Sequence, residues 1–317
     1  MRFLFIIYFG LAVIFSPISA IGQCCTAGNP AGGDGSNDGL TQKELRIFTS
    51  FKHSLSKQYF FHDSKTDLNY IERSFYDYQN LSITYGVLPR LSLHSELGYF
   101  YDKTQDANIN NVKETTRAHG LGDLALNGRY VAIRTVKPLS QLVFAGGVKI
   151  PVGVFDEEIN GITIPVSLQP SAGALKYNAS VFYFRKRADR KFGWNSFAFF
   201  EFSRTINKGY LVYKYGNYLQ LAVAGTYAIT KDFNFVANAK CEIRGKDERE
   251  SDIRIESSGS RVVYFNPQLI YNGKSRWGVI FMADIPVYKY VNGYQLTNKF
   301  SYQIGIRKSF SFCKKAI

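Results

Sequence analysis

The chain's fold is decided between residues 81 and 99: Leu81-Ser82-Ile83-Thr84-Tyr85-Gly86-Val87, then Leu88-Pro89-Arg90, then Leu91-Ser92-Leu93-His94-Ser95-Glu96-Leu97-Gly98-Tyr99. Apolar and polar residues alternate strictly, the period of a strand with two unlike faces. Pro89 cannot donate to a ladder and suits a tight turn, so the stretch reads as a hairpin. One face carries Leu81, Ile83, Tyr85, Leu91, Leu93, Leu97 and Tyr99; the other carries Ser82, Thr84, Ser92, His94, Glu96 and Gly98. Such a hairpin fits a sheet between a soluble core and water. It fits equally a barrel wall between lipid and a wet lumen.

The same alternation continues from Leu45 onward. It predicts about twelve strands, over 45–61, 69–86, 90–102, 115–133, 139–153, 167–186, 191–206, 216–229, 233–245, 253–271, 276–288 and 294–310. The pattern is clean at Leu219, Leu221, Val223 and Tyr227, at Trp277, Val279, Phe281, Ala283 and Ile285, and at Phe300, Tyr302, Ile304 and Ile306. Connections alternate long and short. Long ones are read at His62–Leu68, Lys103–Glu114, Val154–Val166, Asn207–Tyr215, Lys246–Asp252 and Lys289–Gly293. Short ones are read at Val87–Pro89, Arg134–Pro138, Arg187–Arg190, Thr230–Asp232 and Asn272–Lys274. Even strand number with alternating loop length is the wiring of a transmembrane, antiparallel, up-and-down β-barrel. Greek-key sandwiches break that order with crossovers. The expected class is therefore all-β, a barrel over 44–312, with both ends in the periplasm.

Residues 1–22 read as a signal peptide: Arg2 gives the positive start, Phe3–Phe15 an apolar run, and Ser19, Ala20 and Gly22 small residues before a cut. That run is short for a spanning helix, and an exported chain embedded without helices must close as a barrel. Residues 23–43 form a Gly-rich segment that reads either as a linker or as a plug folded into the lumen. Residues 313–317 are a short tail behind Phe310 and Phe312. Of the four cysteines, Cys24 and Cys25 are read as free or vicinally oxidised thiols, or as bridged to Cys313; Gln23 is the wrong residue before a lipidated Cys24.

The net charge is +14 and 16% of residues are aromatic, nearly all Phe and Tyr. Aromatics at that density suit the girdles of a membrane barrel. The basic excess is a feature that nucleic-acid binders share, but with no Lys/Arg-rich helix, zinc spacing or RNA-recognition signature no nucleic-acid partner is expected, and the excess suits anionic lipid and lipopolysaccharide instead. An enzyme is not expected. His53, His62, His94 and His119 lie in no nucleophile motif, and no ligand spacing suggests a metal or cofactor.

By parity the lumen should be lined by His94, Glu96, Asp123, Arg129, Lys149, Lys240, Glu242, Asp284 and Arg307. Their signs are mixed, so they do not form a single-charge filter. They either pair across the lumen and stiffen the wall or line a narrow solute path. Phe182, Phe184 and Tyr264 share the inward parity and would add a greasy track, unless a bulge turns them to lipid.

The run Gly120-Leu121-Gly122-Asp123-Leu124-Ala125-Leu126-Asn127-Gly128-Arg129-Tyr130, followed by Val148-Lys149-Ile150-Pro151-Val152-Gly153, resembles the outer-membrane transporters named for the meta-pathway of phenol degradation, distant relatives of the fatty-acid channel superfamily. There a Gly-x-Gly-Asp opens one strand and a Lys-x-Pro-x-Gly closes the next. The residues themselves suggest that Gly120 and Gly122 permit a bulge, that Asp123 caps it or pairs with Arg129, and that Pro151 ends pairing before the loop containing Gly153. The resemblance implies a barrel in the bacterial outer membrane that passes small, hydrophobic or aromatic molecules. The alternative is a non-conducting barrel that serves an envelope complex as a structural or docking subunit, with a protein partner.

Overall fold

A computed structural model describes residues 37–109, 112–159, 161–187, 191–250 and 253–312. The expected signal peptide over residues 1–22, Cys24, Cys25, most of the Gly-rich segment and the tail after Phe312 lie outside the described residues. The strands are β1 (Glu44–His62), β2 (Ile71–Leu88), β3 (Leu91–Ile109), β4 (Val112–Leu121), β5 (Leu124–Val136), β6 (Leu139–Ile150), β7 (Lys176–Lys186), β8 (Phe192–Ser203), β9 (Tyr218–Ala228), β10 (Phe233–Arg244), β11 (Ser260–Asn272) and β12 (Trp277–Ser311). All pairings are antiparallel between neighbours, and β12 closes on β1 from Glu44↔Ser311 to Phe61↔Tyr294. Closure gives every wall strand a partner on both edges, which a strand needs in hydrocarbon.

Eleven of these elements form the closed ring, and β4 stands outside it, paired only with β3. The last element doubles back. Its first part pairs with β11 through Gly278–Val291 and its second with β1 through Val291–Ser311. The reversal falls at Asn292-Gly293, where Gly293 takes φ +60°, a conformation costly for a residue with a Cβ. Across that reversal Lys289 Nζ donates to Thr297 Oγ1 at 3.1 Å and Ser301 Oγ to Asp284 Oδ2 at 3.3 Å. The wall is thus crossed twelve times.

The opening hairpin shows which solvent the wall faces. Leu81, Ile83, Tyr85 and Leu93 are 47, 40, 41 and 55% exposed, whereas Ser82, Thr84, Ser92 and His94 are 1, 1, 0 and 5% exposed. Greasy side chains outside and polar ones inside invert a soluble protein and match a membrane barrel. Among the described residues no helix is long and apolar enough to cross a membrane; the crossing is made by strands.

Three segments depart from expectation. Lys103–Glu114, read as a loop, is mostly strand: β3 runs to Ile109 and β4 starts at Val112, so a hairpin projects beyond the barrel wall. Residues 115–133, read as one strand, are broken at Gly122-Asp123 into β4 and β5. Residues 167–175, read as strand, belong instead to the long connection between β6 and β7. There Pro165 and Pro170 remove ladder donors and Gly173 takes φ +65°. At the opposite end of the barrel the turns are short, and Phe312 N donates to Lys43 O at 2.9 Å, so the described chain ends meet there.

The long connections pack into a cap. Ile164 and Leu168 bury against Ala118. Ala174, Ile206 and Tyr213 form a second apolar cluster with Phe155, Val166 and Ile255. A four-stranded ribbon sheet, Ile206–Asn207, Val212–Lys214, Glu248–Arg249 and Ile253–Arg254, ties the connections after β8 and β10 together.

Candidate functional site

Three cavities occupy the lumen end to end. The outer one reaches from the cap to Lys149 and Glu201, and shares Glu96, Ala125 and Lys149 with the middle one. The middle one shares Asn37, Phe182, Phe197 and Gln220 with the inner one, which extends to Arg307 and Asn272.

Of the nine residues expected in the lumen, eight line one or more of these cavities, and Glu242 is bridged to Lys240 beside them. His94 Nδ1 lies 2.9 Å from Thr84 Oγ1 and its Nε2 lies 3.6 Å from Glu96. Lys149 Nζ sits 2.9 Å from Glu201, which Lys176 approaches at 3.6 Å. Lys240 Nζ bridges Glu242 at 3.1 Å and Asp284 at 2.9 Å, and Lys52 reaches the other Asp284 oxygen at 3.5 Å. Arg129 lines the middle cavity. Arg307 lines the inner one and donates to Asn272 Oδ1 at 3.0 Å. These are short bridges, within one strand, between neighbours or across one intervening strand, rather than a ring of one sign.

Asp123 neither pairs with Arg129 nor caps a bulge. From the break between β4 and β5 it accepts from Ser171 Oγ at 2.7 Å and from the Ala172 backbone N–H at 3.0 Å. It therefore anchors the inward connection of residues 151–175. Gly122 N donates to Gly98 O at 2.8 Å, and the register shift lies opposite, between Phe100 and Lys103 of β3, facing Gly120 and Ala118. Pro151 follows the last residue of β6. Gly153 passes so close to β4 that a Cβ there would lie 1.7 Å from Leu121 O, so the connection bends inward only because that side chain is absent. Lys103 Nζ donates to Gln169 O at 2.7 Å and Tyr215 OH to Ala172 O at 2.9 Å, completing the anchorage. In the cap, Tyr213 OH donates to Asp247 at 2.5 Å; burial and then that carboxylate push its pKa well above the phenol range.

The β7–β8 register is unbroken, Phe182 facing Phe197. Phe182 and Phe197 line both the middle and inner cavities, Phe184 the inner and Phe199 the middle. The rings of Phe182 and Phe184 lie 6.0 Å apart, those of Phe197 and Phe199 6.3 Å and stacked. Tyr264 also faces inward, with Lys240 Nζ 4.6 Å over its ring.

At the inner end, residues Asn37–Leu40 enter from the chain's described start. Arg46 holds Asp38 with two bonds, Nη1 to Oδ1 at 2.6 Å and Nη2 to Oδ2 at 3.2 Å. Gly39 N donates to Gln141 Oε1 at 3.0 Å, Arg134 donates to the carbonyls of Gly39 and Leu40, and Leu40 is fully buried. Burial alone raises the Asp38 pKa. The Arg46 guanidinium, with the fields of Arg129 and Arg307, outweighs burial and holds the carboxyl below its ordinary value.

Sequence parity missed Lys52, Glu201, Phe197, Phe199 and the Asp38–Arg46 pair. On β8 rings stand on both faces, with Phe200 and Phe202 outward and Phe197 and Phe199 inward, so alternation carries no signal there. On β1, inward Phe48 and Phe60 mask the polarity of Lys52 in the same way.

An apolar outer face, a closed antiparallel wall and a charged lumen define an outer-membrane β-barrel. The chain belongs to the family described as "MetA-pathway of phenol degradation", whose model matches residues 63–304. Its fold is similar to that of an outer membrane channel from Pseudomonas putida F1, with TM-score 0.69, 11% identity, and 87% of this chain and 98% of that one covered. Weaker likenesses include the NanC porin (TM-score 0.46, 12% identity, 82% and 98% covered) and a Pseudomonas aeruginosa FadL homologue (TM-score 0.42, 11% identity, 86% and 91% covered). No curated protein sequence matches the chain.

Proposed function

We propose that the protein is a channel through which small hydrophobic or aromatic molecules cross the outer membrane. The observation that carries this reading is the lumenal aromatic wall of Phe182, Phe184, Phe197 and Phe199, which runs through two of three joined cavities. A barrel that only scaffolds gains nothing from rings facing water, since each exposed ring forgoes burial at roughly 25 cal/mol per Å². A solute that slides along them recovers it.

In this reading the lysine–carboxylate bridges have a structural task. Lys240, Lys52, Glu242 and Asp284 tie β1, β10 and β12 together, and Lys149, Lys176 and Glu201 tie β6, β7 and β8. The inward connection narrows the outer end of the path, and Asn37–Thr41, held by Arg46, Arg134 and Gln141, form an anchored stalk that narrows the inner end. Single-channel recording in planar bilayers tests this. Wild-type protein should conduct weakly, and a variant lacking residues 24–40 should conduct more. A pore that stays silent after that deletion refutes the channel.

A further inference from the structure

The lowest cavity of the lumen already holds a carboxylate on an arginine. Asp38 presents both oxygens to Arg46, and the charges of Arg129 and Arg307 act on it. Aromatic side chains line the same cavity as Asp38, with Phe182, Phe184 and Phe197 among its walls. That cavity is walled by five cations and two carboxylates. Lys52 and Lys240 share Asp284, while Arg307 lies in the same cavity as Asp38, which Arg46 holds and on which the charge of Arg129 also acts. The outer cavity is different. Its cations Lys103, Lys149, Lys176 and Arg244 are matched by Glu96, Asp123, Glu201 and Asp247. Among the described residues the lining of the inner cavity thus holds more cations than carboxylates, and the rings stand in that same lining.

We infer that the inner lumen is a binding site for small aromatic or apolar carboxylates, whose carboxylate group replaces that of Asp38 on Arg46, Arg129 and Arg307 while the apolar body lies on Phe182, Phe184 and Phe197. The inference rests on the channel reading and narrows it to acids. Planar, bidentate guanidinium recognition suits a carboxylate and not a neutral amide or alcohol. Asp38 is then a built-in competitor: it keeps the arginines satisfied when no solute is present, and a passing acid that displaces it also loosens the stalk that closes the inner end.

The test uses the full chain in detergent, with benzoate as probe and benzamide as its neutral isostere, and reads binding by equilibrium dialysis alongside conductance in bilayers. Benzoate should bind more tightly than benzamide. D38N should tighten benzoate by about tenfold, the worth of one charge-assisted pair, and leave benzamide unchanged; R307Q should weaken benzoate alone. Heat-modifiable gel mobility shows that each variant is folded. Equal binding of the two probes, or a benzoate affinity indifferent to D38N and R307Q, overturns the inference. If that occurs while the pore conducts, the channel reading survives; if benzoate binds but nothing conducts, the channel reading falls and the site stands.

Discussion

Replacing Asp123 with Ala should open the outer end of the lumen without unfolding the barrel. Asp123 accepts from Ser171 Oγ and from Ala172 N–H, at 2.7 and 3.0 Å. A hydrogen bond to a charged group contributes about 1.5–3 kcal/mol, and lumenal water competes, which favours the low end. Losing both costs the inward state about 3 kcal/mol, or roughly a hundredfold in the ratio of displaced to seated connection. Lys103 on Gln169 O and Tyr215 on Ala172 O remain, so the seated state persists as the majority. S171A removes one of the two bonds and should give about a tenfold shift. The assay is single-channel recording, where D123A should show longer and more frequent high-conductance dwells, with S171A between it and wild type. Identical dwell-time distributions in all three would refute the claim that this carboxylate holds the constriction.

Three further outcomes follow from the same geometry. D284A leaves Lys52 and Lys240 facing each other in the lumen and should lower barrel stability by about 2–4 kcal/mol, the low end of what breaking a buried pair costs, because the lumen is wet; unfolding in urea followed by heat-modifiable mobility reads it. F182A with F197A should lower benzoate binding several-fold through lost ring contact, while conductance to small ions is unchanged or higher. The Asp38 carboxyl titrates below its ordinary 3.8 in the folded chain. A depressed pKa means that its contribution is present above the unfolded value and lost as pH falls through the folded one. Conductance should thus be constant from pH 8 to about 5 and rise in acid below about 3.8, a rise absent in D38N.

The barrel was legible because lipid and water demand opposite side chains on alternate residues. That demand stops beyond the hydrocarbon, where both faces are wet. The hairpin formed by the ends of β3 and β4, with Lys103, Gln105, Asp106 and Lys113, therefore carried no alternation and read as a loop. Residues 167–175 failed in the opposite sense. Leu168, Ala172 and Ala174 alternate with Gln169, Ser171 and Gly173, but Leu168 and Ala174 bury in the cap's apolar clusters and Ala172 lines the outer cavity, none of them against lipid. The lumenal charges on β3, β5, β6, β10 and β12 were found because each stands on a strand whose other face is plainly apolar. Glu201 and Lys52 were hidden by aromatic neighbours on their own face. No local pattern joins Asp38 to Arg46 or Asp123 to Ser171, since those contacts exist only once the connections fold inward.

The account depends on which solvent meets each face of the wall, and a lysine scan of β9 measures that directly. Leu221 and Val223 point outward, 44 and 61% exposed, while Ala222 and Ala224 line the inner lumen. In lipid vesicles, lysine at 221 or 223 should cost about 2–4 kcal/mol of folding free energy, whereas lysine at 222 or 224 should cost far less because its ammonium reaches lumenal water. Equal costs at all four positions, or larger costs at 222 and 224, would contradict the barrel's orientation and everything inferred from its lumen.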